Sequence, residues 1–169
     1  MLAGRPPTKT QAGFTLLELL VSLAVLVVLL SLAVPGFLGL QQDWRLREQA
    51  SRVMSAVWLA RGLALRSGST VTLCPSSGSR CRDQDGEGLA VMDDTQRVIR
   101  YFPTRPGVKM YNRLGTGPQT AIVRWDAQGL GSRNLTYTLC APGAERNWSV
   151  VLNRLGRPRL VADWGRCPG

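Results

Sequence analysis

The stretch that decides the reading begins Gly13-Phe14-Thr15-Leu16-Leu17-Glu18 and continues as LLVSLAVLVVLLSLAVPGFLGL over residues 19–40. Between Glu18 and Asp43 lie 24 residues without a charge. As a helix rising ~1.5 Å per residue, such a run covers the hydrocarbon core of a bilayer. A helix buried in a soluble core is the competing reading, but soluble helices carry a polar face and this run has none. The segment before it, residues 1–13, carries Arg5 and Lys9 and no acid. Positive charges beside a span tend to stay on the cytoplasmic side. A secretory signal peptide would place its small-residue cleavage pattern after the apolar run, and no A-x-A pattern follows here.

The string from Gly13 through Leu20 resembles the processing and assembly motif of type IV pilins and type II secretion pseudopilins. The resemblance implies that residues 1–13 are a leader removed after Gly13 by a prepilin peptidase. It also implies N-methylation of Phe14 and a transmembrane and assembly helix over residues 14–40. Pro35 and Gly36 stand where such proteins commonly carry a helix-kinking proline. Glu18 has a physical reading of its own, because an ionised carboxylate at the edge of hydrocarbon is costly unless an opposite charge is near. In the pilin-like reading, that charge is the methylated amine of a neighbouring subunit, met during assembly.

Beyond Pro35 the apolar pattern becomes one-sided. Leu46, Ala50, Val53, Val57, Ala60 and Ala64 recur at steps of four and three, while Arg45, Arg47, Arg52, Arg61 and Arg66 fall off that stripe. This predicts an amphipathic helix packed on a domain and ending at Ser67-Gly68-Ser69. From Thr70 the period changes to two, with Gly, Pro, Asn and Asp between the runs. Strands are expected at 71–74, 89–92, 98–102, 108–111, 122–125, 135–140, 148–152 and 159–162. The expected class is α+β. A long N-terminal helix, half membrane-spanning and half amphipathic, packs on an antiparallel β-sheet head of residues 41–169. At ~130 residues the head is large enough to bury its own core.

Composition narrows the chemistry. The chain has 21 Lys+Arg, 11 Asp+Glu and no histidine, a formal charge of +10. Without histidine, hydrolases that need a His base and most zinc enzymes are excluded. No Walker phosphate loop is present, so the chain does not power filament assembly itself. An enzyme is not expected, nor a cofactor. Removing the leader takes two positive charges with it. The head alone keeps 19 positive charges against 10 acids, or +9, so the basic character belongs to the part beyond the span. Only Lys9 and Lys109 are lysines, and arginine suits bidentate contact with phosphate.

The four cysteines, Cys74, Cys81, Cys140 and Cys167, lack the tight spacing of a metal site, and no metal is expected. In an oxidising compartment they would form disulfides, with three connectivities possible. The favoured pairing joins Cys74 to Cys81 across a short loop and ties Cys140 to Cys167 in the C-terminal tail. A rival site deserves its own test. Asp83, Asp85, Glu87, Gly88 and Asp94 approach the spacing of a calcium loop. They depart from it in having Glu at the fifth position and Asp at the twelfth, and the flanks do not read as helices. A solvated turn is the expectation there.

The second half of the chain is similar to the GspH/FimT/FimU group of minor pilins and pseudopilins. The similarity rests on Cys74-Pro75-Ser76-Ser77, Val123-Arg124-Trp125-Asp126-Ala127-Gln128-Gly129 and the run from Val150 to Arg159. In the FimT branch a C-terminal Gly-Arg-x-Arg motif accompanies DNA binding in natural transformation, and Gly156-Arg157-Pro158-Arg159 fits it. Gly156 allows a tight turn, and Pro158 suits an edge strand or the start of one. Arg157 and Arg159, two apart on an extended chain, point the same way at about 6–7 Å, near the spacing of successive phosphates. Arg154 lies just before the turn. No aromatic-stacking motif accompanies these arginines in the sequence, so contact with backbone phosphates, without base specificity, is expected.

The resemblance thus implies a single-pass protein of the bacterial inner membrane with a periplasmic head, later carried in an extracellular pilus. Its partners would be the prepilin peptidase, other major and minor pilin subunits, and DNA. The alternatives are a minor pseudopilin of type II secretion, or a structural, priming minor pilin without affinity for DNA.

Overall fold

A computed structural model of the chain describes residues 15–78, 80–81 and 87–168. The leader, Gly13 and Phe14 lie outside the described residues, as do Asp83 and Asp85 of the acidic loop. The chain divides into two compact units, Met1–Leu38 and Gly39–Gly169.

One helix, α1, runs over Leu16–Ser67. Thr15 caps it. Its hydroxyl accepts the Glu18 backbone N–H at 3.3 Å, and its carbonyl accepts that of Leu19 at 3.1 Å. A Thr three residues before a Glu is a helix-start signature, and the Glu18 carboxylate lies where the helix dipole favours negative charge. Helical assignment continues through Pro35 although proline removes one intrahelical bond. In the first unit every leucine and valine between Leu16 and Val34 is at least half exposed. The apolar window has a mean hydropathy of 2.8 and none of it is buried within the protein. A helix apolar on every side, with no protein cover, is long and apolar enough to cross a membrane.

In the second unit the same helix has a dry face. Leu46, Ala50, Val53, Ala56, Val57, Ala60 and Ala64 are at most 2% exposed. Gln49 is buried on that face as well. It is satisfied on both sides, donating to the Pro103 carbonyl at 3.4 Å and accepting the Arg105 N–H at 3.3 Å. A buried amide with both ends occupied costs little and fixes where the helix meets the end of a strand.

Eight strands follow: β1 (Val71–Ser76), β2 (Gly88–Met92), β3 (Val98–Pro103), β4 (Lys109–Tyr111), β5 (Val123–Trp125), β6 (Leu135–Cys140), β7 (Trp148–Leu152) and β8 (Pro158–Ala162). They form two antiparallel sheets, ordered β3-β2-β1-β5 and β4-β6-β7-β8. Leu73 and Leu89 from the first sheet join Tyr137, Leu139, Val150 and Leu152 from the second in a single core with the helix stripe. Trp125 on β5 is wholly buried in that core. Among the described residues every buried apolar side chain belongs to the Gly39–Gly169 unit, which therefore has the core of a free-standing domain.

Two disulfides close the head, Cys74–Cys81 and Cys140–Cys167. The first closes the loop after β1. The second joins the end of β6 to the C-terminal tail.

Candidate nucleic-acid interface

The hairpin β7–β8 carries the arginine motif. Its register pairs Leu152 with Pro158, Val151 with Arg159 and Val150 with Leu160. β8 is an edge strand, and Pro158, which has no N–H to donate, is its first residue. The turn between the strands is closed by Asn153. Its carbonyl accepts the Gly156 N–H at 2.9 Å, and its side-chain oxygen accepts the Arg157 N–H at 3.1 Å. The Arg154 carbonyl accepts the Gly131 N–H at 3.0 Å, which ties the turn to the loop after β5.

Gly156 has a structural task in this turn. Its φ is +69°, a conformation that side chains other than glycine's resist. A Cβ there would lie 2.5 Å from the Trp125 indole nitrogen and 2.7 Å from the Gly129 carbonyl. Glycine therefore lets the hairpin rest on the core tryptophan, and the residues after it are carried outward.

Arg154, Arg157 and Arg159 are all exposed. Exposure alternates along 157–160, so Arg157 and Arg159 share the solvent side while Pro158 and Leu160 are partly covered. Among the described residues none of the three forms an ion pair. The nearby acid Asp163 is already occupied. Its carboxylate meets Arg146 at 3.0 Å and accepts the Asn147 N–H at 3.1 Å. Among the described residues the hairpin's guanidinium groups thus have no neutralising carboxylate, which is what an anionic polymer needs to meet.

The fold brings an aromatic ring from the tail to one of these arginines. Trp164, 40% exposed, lies with the Arg159 guanidinium 5.4 Å from its ring centre and that of Arg113 at 4.7 Å. Neither residue carried a readable signal, because they come from distant parts of the chain. They meet because the tail folds back along the second sheet. Asp163, at φ +53°, turns the chain out of β8. The Gly165 N–H then donates to Ser149 at 3.1 Å, the Gly165 carbonyl accepts from Asn147 at 3.1 Å, and the Arg166 N–H donates to the Arg113 carbonyl at 2.9 Å.

Of the acidic loop, only Glu87, Gly88 and Asp94 are described. Gly88 is the first residue of β2, and Asp94 follows that strand. Among the described residues no group of three carboxylate, His or Cys side chains is placed to hold a metal ion. A cleft of about 780 Å³ opens beside β4, lined by Arg105, Val108, Lys109, Tyr111 and Gln119 among others. Among the described residues lining it, Glu87 is the one carboxylate.

A long N-terminal helix, apolar over its first half, followed by a head of antiparallel sheets is the pilin-like fold. Residues 8–34 match the family described as the prokaryotic N-terminal methylation motif, and residues 49–156 match that described as type II transport protein GspH. The chain belongs to the GspH family of minor pilins and pseudopilins. No curated protein sequence matches it. Among solved structures it is similar to the type IV minor pilin FimU of Pseudomonas aeruginosa. That match has 15% identity and a TM-score of 0.56, and covers 72% of this chain and 92% of that one. It is also similar to the minor pseudopilin EpsH of the type 2 secretion system of Vibrio cholerae, at 18% identity and a TM-score of 0.50, covering 70% and 97%. At these identities the likeness is one of fold.

Proposed function

We propose that the chain is a minor pilin of a type IV pilus whose head binds DNA through backbone phosphates at the β7–β8 hairpin, in support of DNA uptake. The observation that carries this reading is the pair Arg157 and Arg159, exposed on one side of an edge strand and, among the described residues, with no acid paired to either. Backbone contact supplies affinity without reading sequence, which suits uptake of arbitrary DNA. In a gel shift of the head with mixed-sequence duplex DNA, Arg157→Ala/Arg159→Ala should reduce binding by about tenfold or more at low salt. Unchanged binding would overturn the assignment.

Assembly rests on the other end of the chain. In this reading a prepilin peptidase removes residues 1–13, and Phe14 becomes the methylated N-terminus. The helix over 14–40 holds the subunit in the inner membrane, with the head of residues 41–169 in the periplasm. Glu18 then pairs with the amine of a neighbouring subunit as the helix enters the filament, where the low dielectric strengthens that attraction. Glu18→Ala should still reach the membrane but drop to a small fraction of wild-type abundance in sheared, purified pili by immunoblot. Incorporation at normal levels would remove Glu18 from the assembly step.

The resemblance to EpsH and the family's secretion branch supports a second reading, a pseudopilin or priming subunit without DNA affinity. That reading expects the same Glu18 result and no gel shift.

A further inference from the structure

We infer that Arg113 is a further phosphate-contacting residue of this interface and that Trp164 is the positioning residue whose ring holds both Arg113 and Arg159. The inference rests on the reading of the hairpin as a phosphate-binding surface and extends it to two residues outside the motif.

Three separate elements converge here. Arg159 comes from β8, Trp164 from the tail and Arg113 from the turn after β4. That turn is well defined. The Asn112 side-chain oxygen accepts the N–H groups of Leu114 at 3.1 Å and Thr116 at 3.2 Å. Gly115, at φ +72°, lets the turn press on the tail, where a Cβ would lie 2.6 Å from the Arg166 carbonyl. The Cys140–Cys167 bridge anchors the tail from its far side. The ring therefore sits on a fixed platform, and its two arginines are held from independent backbones.

The charge arrangement points to the ligand. Both guanidinium groups lie within 5.4 Å of one ring centre, so two like charges are gathered at one place. Among the described residues neither forms an ion pair. The negative face of the indole offsets part of the repulsion and fixes each guanidinium plane. A phosphate group can offset the rest, since the guanidinium fork matches it. Together with Arg154 and Arg157, the pair adds exposed positive charge from the turn after β4 to that of the hairpin.

The test is fluorescence anisotropy of the head, residues 39–169, with a labelled mixed-sequence duplex DNA across a salt series. Arg113→Ala should weaken binding about three- to tenfold at low salt and make the plot of log affinity against log salt shallower by about 0.9. Trp164→Leu should weaken binding about two- to fivefold without a matching fall in thermal midpoint, and Trp164→Phe, which keeps an aromatic face, should restore most of it. Arg97→Ala removes the same charge from the β2–β3 turn, where Arg97 faces Asp93 at 3.5 Å, and should leave the affinity within about twofold. If Arg157→Ala/Arg159→Ala abolishes binding while Arg113→Ala behaves like Arg97→Ala, the role of Arg113 is overturned and the hairpin reading stands. If Trp164→Phe is as weak as Trp164→Leu, the ring does not act through its aromatic face and the positioning role falls. If the wild-type head does not bind DNA, both readings fail together.

Discussion

Gly156→Ala should destabilise the head by about 2–5 kcal/mol and weaken DNA binding, although it removes no charge. The left-handed conformation at φ +69° costs an alanine about 1–2 kcal/mol. The added methyl group meets the Trp125 indole, which is wholly buried and has no room to retreat. It also meets the Gly129 carbonyl, which the Arg61 guanidinium already engages at 3.1 Å. Overpacking of that kind adds about 1–3 kcal/mol. Relief comes only by lifting the turn off Trp125, and that shifts Arg157 and Arg159 from their places. Urea denaturation followed by tryptophan fluorescence measures the first effect, and a gel shift under native conditions the second. A variant within about 0.5 kcal/mol of wild type would mean that the turn does not rest on Trp125 as described.

Replacing both members of the Cys140–Cys167 bridge by serine should cost about 3–4 kcal/mol, more than the same change at Cys74–Cys81, at about 2–3 kcal/mol. The difference follows from loop size, since the cysteines are 27 residues apart in the first pair and 7 in the second. A longer loop leaves the unfolded chain more freedom when the bond is absent. The larger bridge also anchors the tail that carries Trp164, so its loss should weaken DNA binding as well. Thermal unfolding of the two double variants ranks them directly. The reverse ranking would place the stabilising effect in local geometry and not in chain entropy.

Much of the fold was legible because its parts are local. The apolar run after Glu18 and the stripe from Leu46 to Ala64 needed only periodicity, and all six residues of that stripe are buried. Each of the eight strands occurs, with ends that move for identifiable reasons. β1 runs on to Ser76 because Ser76 still pairs with Gly88. β4 starts only at Lys109 because the Val108 N–H is spent on a turn, donating to Arg105 at 3.1 Å. The division into two sheets was not legible, since β5 pairs with β1 across the whole of β2–β4, and no local pattern encodes that choice. Gln49 escaped notice because a polar residue on an apolar stripe looks like an interruption until its two partners are seen.

The interface was legible only in part for the same reason. Arg154, Arg157 and Arg159 lie together in the chain, and alternation alone puts two of them on one side. Arg113 and Trp164 become neighbours through the Arg166–Arg113 backbone bond, which leaves no mark on the sequence around it, while the readable Cys140–Cys167 bridge only ties the tail to the end of β6.

The most direct measurement is the salt dependence of DNA affinity for the head, residues 39–169, in the wild type and in Arg157→Ala/Arg159→Ala. Phosphate contacts release counterions, so log affinity should fall linearly with log salt in the wild type, and the double variant should have a slope shallower by about 1.8 on duplex DNA. A wild-type affinity insensitive to salt, or a double variant with the wild-type slope, would contradict phosphate binding at this hairpin.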